Sequence, residues 1–372
     1  MYNIEEFIED HALVRGLAEL VSNPGPSGIL NHAKIKVTSR CNLKCRMCSY
    51  WKLADQPEIP SERMMKLIEE LAEMGVRKVH FSGGEPLIRP DFFDVIQNCT
   101  KRKIRVNITT NGTLVDGEKA KRLVKSGVRS VSISIDGPTA KIHDGIRGLK
   151  GAFKRTVSAL DRLSSAREKY CARKRMRIRV NVVLQRANWR HFPEIVRLAG
   201  ELGADEVHPM PVDPKSPGHL LKKSEIKDFN TCVVPEVETL RLRYGLSTDP
   251  LLVYPYGQTK DDINHSRSGN YARGFFDSHL CYVPWMHTFI GWDGEVYPCC
   301  MTRGKVPSLG NINKSGLRDV FFGEEYAKLR RSFVKKRLPD CARCDNFLRE
   351  NNLLLKAIEG LRHQASGFRP QV

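Results

Sequence analysis

A regular alternation of short β-rich runs and helix-length segments most constrains the fold of this chain. The β-rich runs are 33–37, 78–82, 104–110, 129–135, 178–184 and 205–211. Segments of helical length between them include 60–74, 116–127, 151–165 and 190–202. Six strands separated by helices predict successive βαβ units around one parallel sheet. We therefore predict an α/β fold that begins with a partial (β/α)6 parallel barrel.

Polar loops follow three of these strands, and they predict where a ligand would bind. The loops read SGGEP at 82–86, TNG at 110–112 and DGP at 136–138. Parallel sheets of this kind place their ligands at the carboxyl ends of the strands, in the loops that lead to the helices. The sequence therefore predicts a site at one rim of the barrel.

The alternation stops after residue 212, and the rest of the chain is organised differently. Residues 222–244 have a helical pattern, 245–345 is rich in loops and holds five of the eleven cysteines, and 346–362 predicts a closing helix. A small cysteine-rich domain organised around a cofactor is the expected result. The predicted segments are an N-terminal helical arm at 1–30, the barrel at 31–215, a helical linker at 216–275, the cysteine-rich domain at 276–346, and a C-terminal helix and tail at 347–372.

Charge and hydropathy limit the classes of partner. The chain of 372 residues has 61 Lys and Arg against 42 Asp and Glu, a net charge of +19, which indicates either an anionic partner or a solvated thermophilic surface. The basic run at 173–179 enters a predicted strand without interleaved aromatics, so nucleic acid is not expected as a partner. No apolar run approaches the about 18 residues of a membrane span, and the acidic N-terminus has no signal-peptide pattern. We expect a cytoplasmic protein whose cysteines bind metal or do chemistry.

Cys41, Cys45 and Cys48 form a C-x3-C-x2-C set directly after the first predicted strand. Three thiolates on one loop can hold three irons of a cubane cluster and leave the fourth iron open to an exchangeable ligand. Thiolate ligands favour iron–sulfur clusters or zinc. Zinc sites commonly use paired C-x2-C units, and no second pair lies nearby. The spacing therefore favours an iron–sulfur cluster.

The loop at 83–86 (GGEP) sharpens this interpretation. Two glycines allow backbone groups to approach a ligand closely, and the Glu85 carboxylate can accept hydrogen bonds from an ammonium group. Together with the cysteine loop, this motif closely resembles the radical S-adenosylmethionine (radical SAM) superfamily. The resemblance implies a 4Fe–4S cluster on Cys41, Cys45 and Cys48 that binds S-adenosylmethionine. It also implies reductive cleavage of that cofactor to a 5′-deoxyadenosyl radical, which abstracts a substrate hydrogen.

The same resemblance implies which further residues contact S-adenosylmethionine. The methionine amine would be lined by Gly83, Gly84 and Glu85, the ribose or carboxylate would meet Ser134, and the adenine would pack on Leu184. Met47 stands where the family often has an aromatic residue, and its thioether can pack on adenine. Asn111 and Arg147 are also candidates. A turn-forming role explains Asn111 equally well, and a surface salt bridge explains Arg147 equally well.

A second cysteine set lies in the last third of the chain. Trp292-Asp293-Gly294 predicts a hairpin turn between the runs HTFIG and EVYP. Such a hairpin would bring Cys281 and Cys299 to neighbouring strands, and Cys341 and Cys344 add a C-x2-C pair. Four soft ligands suit zinc or a 4Fe–4S cluster, and by ligand chemistry alone zinc is the default.

The spacing C-x12-G-x4-C, followed by Gly310-Asn311-Ile312 and C-x2-C, is similar to the abbreviated auxiliary-cluster (twitch) form of the family's SPASM domain. The resemblance implies one auxiliary 4Fe–4S cluster, because no cysteine follows Cys344. Cys300 is surplus to this set: the sequence allows it either to replace Cys299 as a ligand or to be a buried thiol. The remaining cysteines match no spacing and are interpreted as structural: Cys99, Cys171 and Cys232.

The leading functional hypothesis is a small-molecule enzyme that oxidises, epimerises or decarboxylates an anionic, sugar, cyclitol or nucleotide-type substrate, with flavodoxin or ferredoxin as reductant. The alternative is a peptide- or protein-modifying maturase of the SPASM group, which the arm of about thirty residues disfavours because it is too short for a separate recognition domain. General-base candidates lie at His208, Asp213, Tyr254, Tyr256 and His287, and the sequence singles out none. It predicts neither the substrate nor the oligomeric state.

Overall fold

The computed structural model describes residues 4–53, 56–171, 176–215 and 217–365. All six predicted strands form, each within one residue of the predicted bounds, and a hairpin adds two more. The strands are β1 (His32–Lys36), β2 (Lys78–Ser82), β3 (Arg105–Thr110), β4 (Ser130–Ser134), β5 (Arg177–Leu184), β6 (Glu206–Pro211), β7 (His287–Ile290) and β8 (Val296–Tyr297). The basic run at 173–179 lies partly outside the described residues, and its described part leads into β5.

Helices occupy the predicted segments between the strands. They are α1 (Ile4–Glu9), α2 (His11–Ser22), α3 (Ser61–Glu73), α4 (Phe92–Lys101), α5 (Gly117–Lys125), α6 (Ala140–Arg147), α7 (Ala152–Tyr170), α8 (Phe192–Glu201), α9 (Lys223–Asp228), α10 (Val234–Arg243), α11 (Pro250–Val253), α12 (Lys260–Ser266), α13 (Phe275–Ser278), α14 (Val283–Met286), α15 (Leu317–Phe321), α16 (Glu324–Lys335) and α17 (Leu348–Ala365). A π-helical turn at Phe229–Val233 joins α9 to α10. Within the described ranges, no helix is long and apolar enough to cross a membrane.

Strands β1 to β6 are parallel and adjacent in chain order, as successive βα units predict. The sheet order is β6-β5-β4-β3-β2-β1-β7-β8, so the sheet has two free edges and does not close into a full barrel. Alternate residues of each strand are apolar and pack against the helices; Ile35, Phe81 and Val180 are fully buried in this main core. Packing of one face against the helices leaves the other face of the curved sheet to line an interior space.

That interior face is polar, and we call the space it surrounds the lumen. Because aligned residues in a parallel sheet point to the same side, the register carries one polar layer from strand to strand. Lys34 pairs with His80, His80 with Asn107, and Asn107 with Ser130. The lumen positions are His32, Lys34, Lys36, Lys78, His80, Ser82, Arg105, Asn107, Thr109, Ser130, Ser132, Ser134, Arg177, Arg179, Asn181, Val183, Glu206, His208 and Met210.

The predicted hairpin between HTFIG and EVYP is confirmed, and it extends the barrel sheet. β7 pairs in parallel with β1, while β8 returns antiparallel to β7. Gly294 in the turn has φ of +83°, a conformation that glycine adopts without the steric cost of a Cβ. The N-terminal arm packs on this region, where Ile4, Phe7 and Leu17 share a second core with Trp285. The cysteine-rich region is therefore continuous with the barrel.

Candidate functional site

The loop of Cys41, Cys45 and Cys48 follows β1 at the carboxyl edge of the sheet. All three are free thiols; Cys45 is buried, and the other two are half-buried. They pack with apolar neighbours that include Leu43 and Met47. Burial raises the pKa of the Cys41 thiol to about 11, because the apolar surroundings disfavour a bare thiolate. A bound cation such as iron would supply the missing stabilisation.

Two neighbouring segments hold this loop. Glu58 accepts hydrogen bonds from the Thr38 hydroxyl and from the Ser39 amide (3.0 Å), which fixes the chain just before Cys41. The far side of the loop lies on the end of α6, where the Arg46 amide donates to the Ile146 carbonyl at 3.0 Å. The loop thus belongs to the barrel framework and is not a free connection.

The GGEP loop lies directly against the cysteine loop. The Gly84 amide donates to the Thr38 carbonyl and the Glu85 amide to the Arg40 carbonyl, both at 2.8 Å. A Cβ on Gly84 would stand 2.0 Å from the Arg40 carbonyl oxygen. The sequence predicted that these glycines allow a ligand to approach; the structure shows that Gly84 allows the cysteine loop itself to approach.

We expect Gly84→Ala to destabilise the protein by about 3 kcal/mol, because the methyl group would force two backbone segments apart. Gly145→Ala is the matched control, since a Cβ there meets nothing within 4 Å. That control lies within a helix and should gain roughly 0.5–1 kcal/mol. Denaturant unfolding followed by circular dichroism measures both values, and equal effects would contradict the close-approach argument.

Glu85 is fully buried, and both of its carboxylate oxygens are engaged. Oε1 accepts from the Thr110 hydroxyl (2.7 Å) and the Leu87 amide, and Oε2 accepts from the Asn111 amide (2.7 Å). Burial raises the pKa of Glu85, although these hydrogen bonds favour the ionised form. The side chain thus ties the end of β2 to the end of β3. Its contact with a methionine amine stays a prediction.

Asn111 makes a contact that is typical of a turn-forming residue, and its side chain also reaches the cysteine loop. Its Oδ1 accepts from the Thr113 amide at 2.9 Å. Its Nδ2 donates to Oδ1 of Asn42, also at 2.9 Å, and Asn42 lies inside the cysteine loop. Asn111 therefore connects the end of β3 to the cysteine loop.

Arg147 is buried, so the surface salt bridge that the sequence allowed is wrong. Its NH2 group lies 2.8 Å from Oδ2 of Asp136, which is fully buried, and its NH1 group lies 4.0 Å from the Cys45 sulfur. Burial raises the pKa of Asp136, and the positive charge of Arg147 offsets part of this effect. Sequence reasoning missed Asp136 as a site residue. Its position directly after β4, in the DGP loop, was the available signal.

The other predicted cofactor contacts are divided between the lumen and the core. Ser134 is half-buried at the carboxyl end of β4, on the lumen side. Met47 is half-buried beside the three cysteines. Leu184 is fully buried in the main core, on the same side of β5 as Val182. Because side chains alternate along a strand, the neighbouring Val183 faces the lumen, and the contact of Leu184 with adenine stays a prediction.

The structure places the general-base candidates in different surroundings. His208 lies on the lumen face of β6, and its side chain is 39% exposed. Tyr256 and His287 are buried and hydrogen-bonded to the carbonyls of Leu184 (3.3 Å) and Pro298 (2.9 Å), respectively. These two contacts fit structural roles.

The four cysteines of the second set line one apolar pocket. Cys281 and Cys344 are buried, and the four are joined in the wall of the pocket by Phe276, Phe333 and Phe347. Burial raises the pKa values of the Cys281 and Cys344 thiols well above that of an ordinary cysteine. Cys300 does not line this pocket, although it is adjacent to Cys299; it lies near Lys36 and Tyr50 of the barrel.

The donor sets fit iron–sulfur clusters in their chemistry. Among the residues that the structure describes, no three or more His, Cys, Asp or Glu side chains converge as they would around a single metal ion. A cubane cluster binds each thiolate at a different iron corner, so its ligands stand apart around a cavity. Three thiols on one loop, and four thiols around one apolar pocket, provide that arrangement.

A row of rings and cations connects the segment after Cys48 with the β7–β8 hairpin. Lys36 Nζ lies 4.1 Å from the centroid of the Tyr50 ring, and the Tyr50 ring meets that of Trp292 edge-on at 5.5 Å. Arg303 in turn stacks 3.8 Å from the Trp292 ring and pairs with Asp293 at 2.7 Å. The segment after Cys48 and the turn of the β7–β8 hairpin are therefore in direct contact.

Comparison with known proteins agrees with this architecture. Residues 35–199 match the radical SAM superfamily, and residues 281–345 match SPASM, an iron–sulfur cluster-binding domain. An AdoMet-dependent heme synthase of Methanosarcina barkeri is 28% identical over 304 residues, which cover 79% of this chain and 83% of that protein. A PqqA peptide cyclase of Granulibacter bethesdensis is 30% identical over 181 residues, covering 48% of this chain and 45% of that protein.

Solved structures show the same fold. Streptococcus suis SuiB bound to S-adenosylmethionine superposes with a TM-score of 0.64 at 18% identity, covering 88% of this chain and 75% of that one. The predicted partial parallel barrel with a cysteine-rich C-terminal region is thereby confirmed. The two matched domains imply S-adenosylmethionine, a 4Fe–4S cluster and auxiliary iron–sulfur clusters as cofactors. The chain is a radical SAM protein with a C-terminal SPASM-like domain.

Proposed function

We propose that this chain is an enzyme that cleaves S-adenosylmethionine reductively and removes a hydrogen atom from a small anionic substrate bound in the lumen. The observation that carries the proposal is the position of the three-cysteine loop at the edge of a polar lumen with several cationic side chains. When bound, the cluster and S-adenosylmethionine supply a 5′-deoxyadenosyl radical, which abstracts hydrogen from a C–H bond. The net reaction would be an oxidation, epimerisation or decarboxylation.

The residues around the loop have separate parts in this proposal. Cys41, Cys45 and Cys48 hold the cluster. Arg147 directs a guanidinium N–H toward the Cys45 sulfur and so stabilises its thiolate from outside the ligand sphere. Glu85 keeps the ends of β2 and β3 together beside the loop.

Further residues are assigned to S-adenosylmethionine. In this proposal Gly83, Gly84 and Glu85 contact the methionine amine, and Ser134 contacts the ribose or carboxylate. The half-buried Met47 borders the adenine, and Asn111 positions the loop that carries the cysteines.

We assign one 4Fe–4S cluster to the auxiliary site, held by Cys281, Cys299, Cys341 and Cys344. Their common apolar pocket supports this set, and the position of Cys300 outside the pocket leaves it as an unligated thiol. A fully ligated cluster has no open iron, which suits electron transfer from a substrate radical or a structural role. Flavodoxin or ferredoxin is the proposed source of electrons for the radical site.

Anaerobically reconstituted protein should then contain about eight iron atoms per chain, and the Cys344→Ser variant about four. Cys300→Ser is the matched control and should keep about eight. Iron and zinc are measured together by mass spectrometry. A wild-type result of about four iron atoms with one zinc would contradict the auxiliary assignment, and loss of iron in Cys300→Ser would move the ligand to that residue.

A peptide or protein substrate is the second candidate. It is favoured by the similarity to a PqqA peptide cyclase, which is limited to 48% of this chain. The heme synthase relative matches across 79% of the chain, and its name gives a small-molecule product, which supports the first candidate.

Deuterium transfer can decide between the two candidates. Extract from host cells grown in D2O is separated into a small-molecule fraction and a peptide fraction, and each is incubated with reconstituted enzyme, S-adenosylmethionine and reductant. We expect deuterium in 5′-deoxyadenosine with the small-molecule fraction. Deuterium only with the peptide fraction would establish the second candidate, and absence of 5′-deoxyadenosine from every incubation would contradict the radical mechanism.

A further inference from the structure

Two lysines of β1 face the lumen next to the three-cysteine loop. Lys34 and Lys36 alternate with the buried Ile35, so both side chains lie on the inner side of the sheet. Lys36 donates a hydrogen bond to the Gly83 carbonyl at 3.2 Å and stacks on Tyr50. Among the described residues, Lys34 forms neither a hydrogen bond nor an ion pair. Within the part of the chain that the structure describes, neither lysine is paired with a carboxylate.

Two other cations of the lumen, Arg179 and Arg105, are paired with acidic residues. Arg179 makes two hydrogen bonds to Glu206, at 2.6 and 2.9 Å. Arg105 pairs with Glu6 of the N-terminal arm at 2.8 Å. These pairs cancel charge toward the amino ends of β3 and β5, whereas Lys34 and Lys36, toward the carboxyl end of β1, have no carboxylate partner among the described residues. That end is the one beside the cysteine loop.

The two lysines repel each other in the absence of a counter-ion. Burial, and after it the charge of Lys34, lowers the pKa of Lys36 to about 8. The Asp345 carboxylate lies near enough to Lys34 for the two charges to interact, yet the two form no ion pair among the described residues. Two half-buried ammonium groups of like charge cost stability unless an anion occupies the space between or beside them.

A buried hydroxyl points to the same ligand. Ser82 is only 7% exposed, and its Oγ has no hydrogen-bond partner in the described residues. Ser82 is directly paired with Lys36 in the register of β1 and β2, so both side chains project to the lumen. Buried hydroxyls nearly always have a partner, so an orphaned one beside two cations indicates a ligand with acceptor oxygens.

We propose that Lys34, Lys36 and Ser82 form an oxyanion site that binds an acidic group of the substrate. The inference rests on the proposed function, since it names the chemical group by which the lumen recognises its substrate. Three donors of this type suit a carboxylate or a phosphate, because lysine ammonium groups bind either as point charges. The site would fix the substrate by its acidic end and leave a nearby C–H bond toward the cysteine loop.

Thermal unfolding of the anaerobically reconstituted enzyme tests the site with succinate, inorganic phosphate and uncharged succinamide, at ionic strength matched with sodium chloride. We expect an anion to raise the melting temperature and succinamide to leave it unchanged. A response to succinate alone identifies a carboxylate site, and a response to phosphate alone identifies a phosphate site. Lys34→Met should weaken anion affinity about tenfold or more, the loss of one charge-assisted hydrogen bond.

Lys66→Met is the matched control, because Lys66 is exposed on the outer helix α3; it should respond to anions like the wild type. Without added anion, Lys34→Met should melt at or above the wild-type temperature, since it removes repulsion from Lys36. A purely structural lysine would instead lower that temperature. Ser82→Ala, which leaves the charges intact, should also weaken anion binding and provides a second test if Lys34→Met misfolds.

The inference is overturned if the wild type shows no anion-specific stabilisation, or if Lys34→Met and Ser82→Ala retain it. The proposed function is judged separately, by 5′-deoxyadenosine formation in the wild type. Cleavage without anion binding would remove the oxyanion site and keep the enzyme assignment. Anion binding without cleavage would keep the oxyanion site and remove the enzyme assignment.

Discussion

Cys45→Ala is expected to reduce reductive cleavage of S-adenosylmethionine to the background rate. Three cysteine ligands leave one open iron for the cofactor, so loss of one ligand removes the site at which S-adenosylmethionine binds. Cys45 is also the most buried of the three and the one nearest Arg147. The measurement is 5′-deoxyadenosine formed by dithionite-reduced protein under anaerobic conditions.

Cys232→Ala is the matched control for that experiment, because Cys232 is an exposed thiol in the π-helical turn between α9 and α10. It should cleave S-adenosylmethionine at the wild-type rate. Iron analysis of Cys45→Ala should show the auxiliary iron alone, about four atoms per chain. Cleavage that survives in Cys45→Ala would show that the C-x3-C-x2-C loop does not hold the radical-generating cluster.

Arg147→Met is expected to destabilise the protein by about 3–5 kcal/mol, because it leaves the Asp136 carboxylate buried without its counter-ion. Asp136 is fully buried, and its Oδ1 also accepts a hydrogen bond from the Val183 amide at 2.8 Å, so the carboxylate cannot turn to solvent without breaking the β4–β5 junction. Denaturant unfolding monitored by circular dichroism gives the free energy of unfolding. A loss below about 1 kcal/mol would contradict a buried pair.

Two further variants separate charge pairing from side-chain packing. Arg197→Met removes a pair with Glu236 of similar length, 3.0 Å, in which both side chains are about half exposed; it should cost less than about 1 kcal/mol. Adding Asp136→Asn to Arg147→Met should restore part of the lost stability, since the uncompensated charge is then gone. If the double variant is no more stable than Arg147→Met, packing of the arginine and not its charge accounts for the loss.

The strand positions and the cysteine loop followed from local sequence patterns. Each β-rich run, bounded by turn residues, became a strand within one residue of its prediction, because burial on one face of a sheet imposes alternation on the sequence. The C-x3-C-x2-C spacing could be interpreted without a fold, since the ligands lie on one short loop. The hairpin turn at 292–294 was equally local.

Contacts between distant segments could not be predicted from local sequence patterns. Arg147 appeared suited to a surface pair because its partner, Asp136, lies in the loop before α6 and meets Arg147, at the far end of that helix, only in the folded chain. Gly84 appeared suited to a ligand, whereas its neighbour is the Arg40 carbonyl. The pairing of β7 with β1 joins residues far apart in the chain, and no periodicity predicts which edge a hairpin will extend.

The basic charge of the chain also has one part that is local to the sequence and one part that depends on the fold. The sequence by itself determined that cations exceed acids by nineteen and that Lys34 and Lys36 alternate with an apolar residue on one strand. Only the tertiary structure decided that this alternate face borders the lumen, that Arg179 and Arg105 have acidic partners there, and that Lys34 has none among the described residues. The reason is physical: a side chain's type and its side of a strand are local properties, whereas its counter-ion and its solvent are supplied by whatever segments the fold brings beside it.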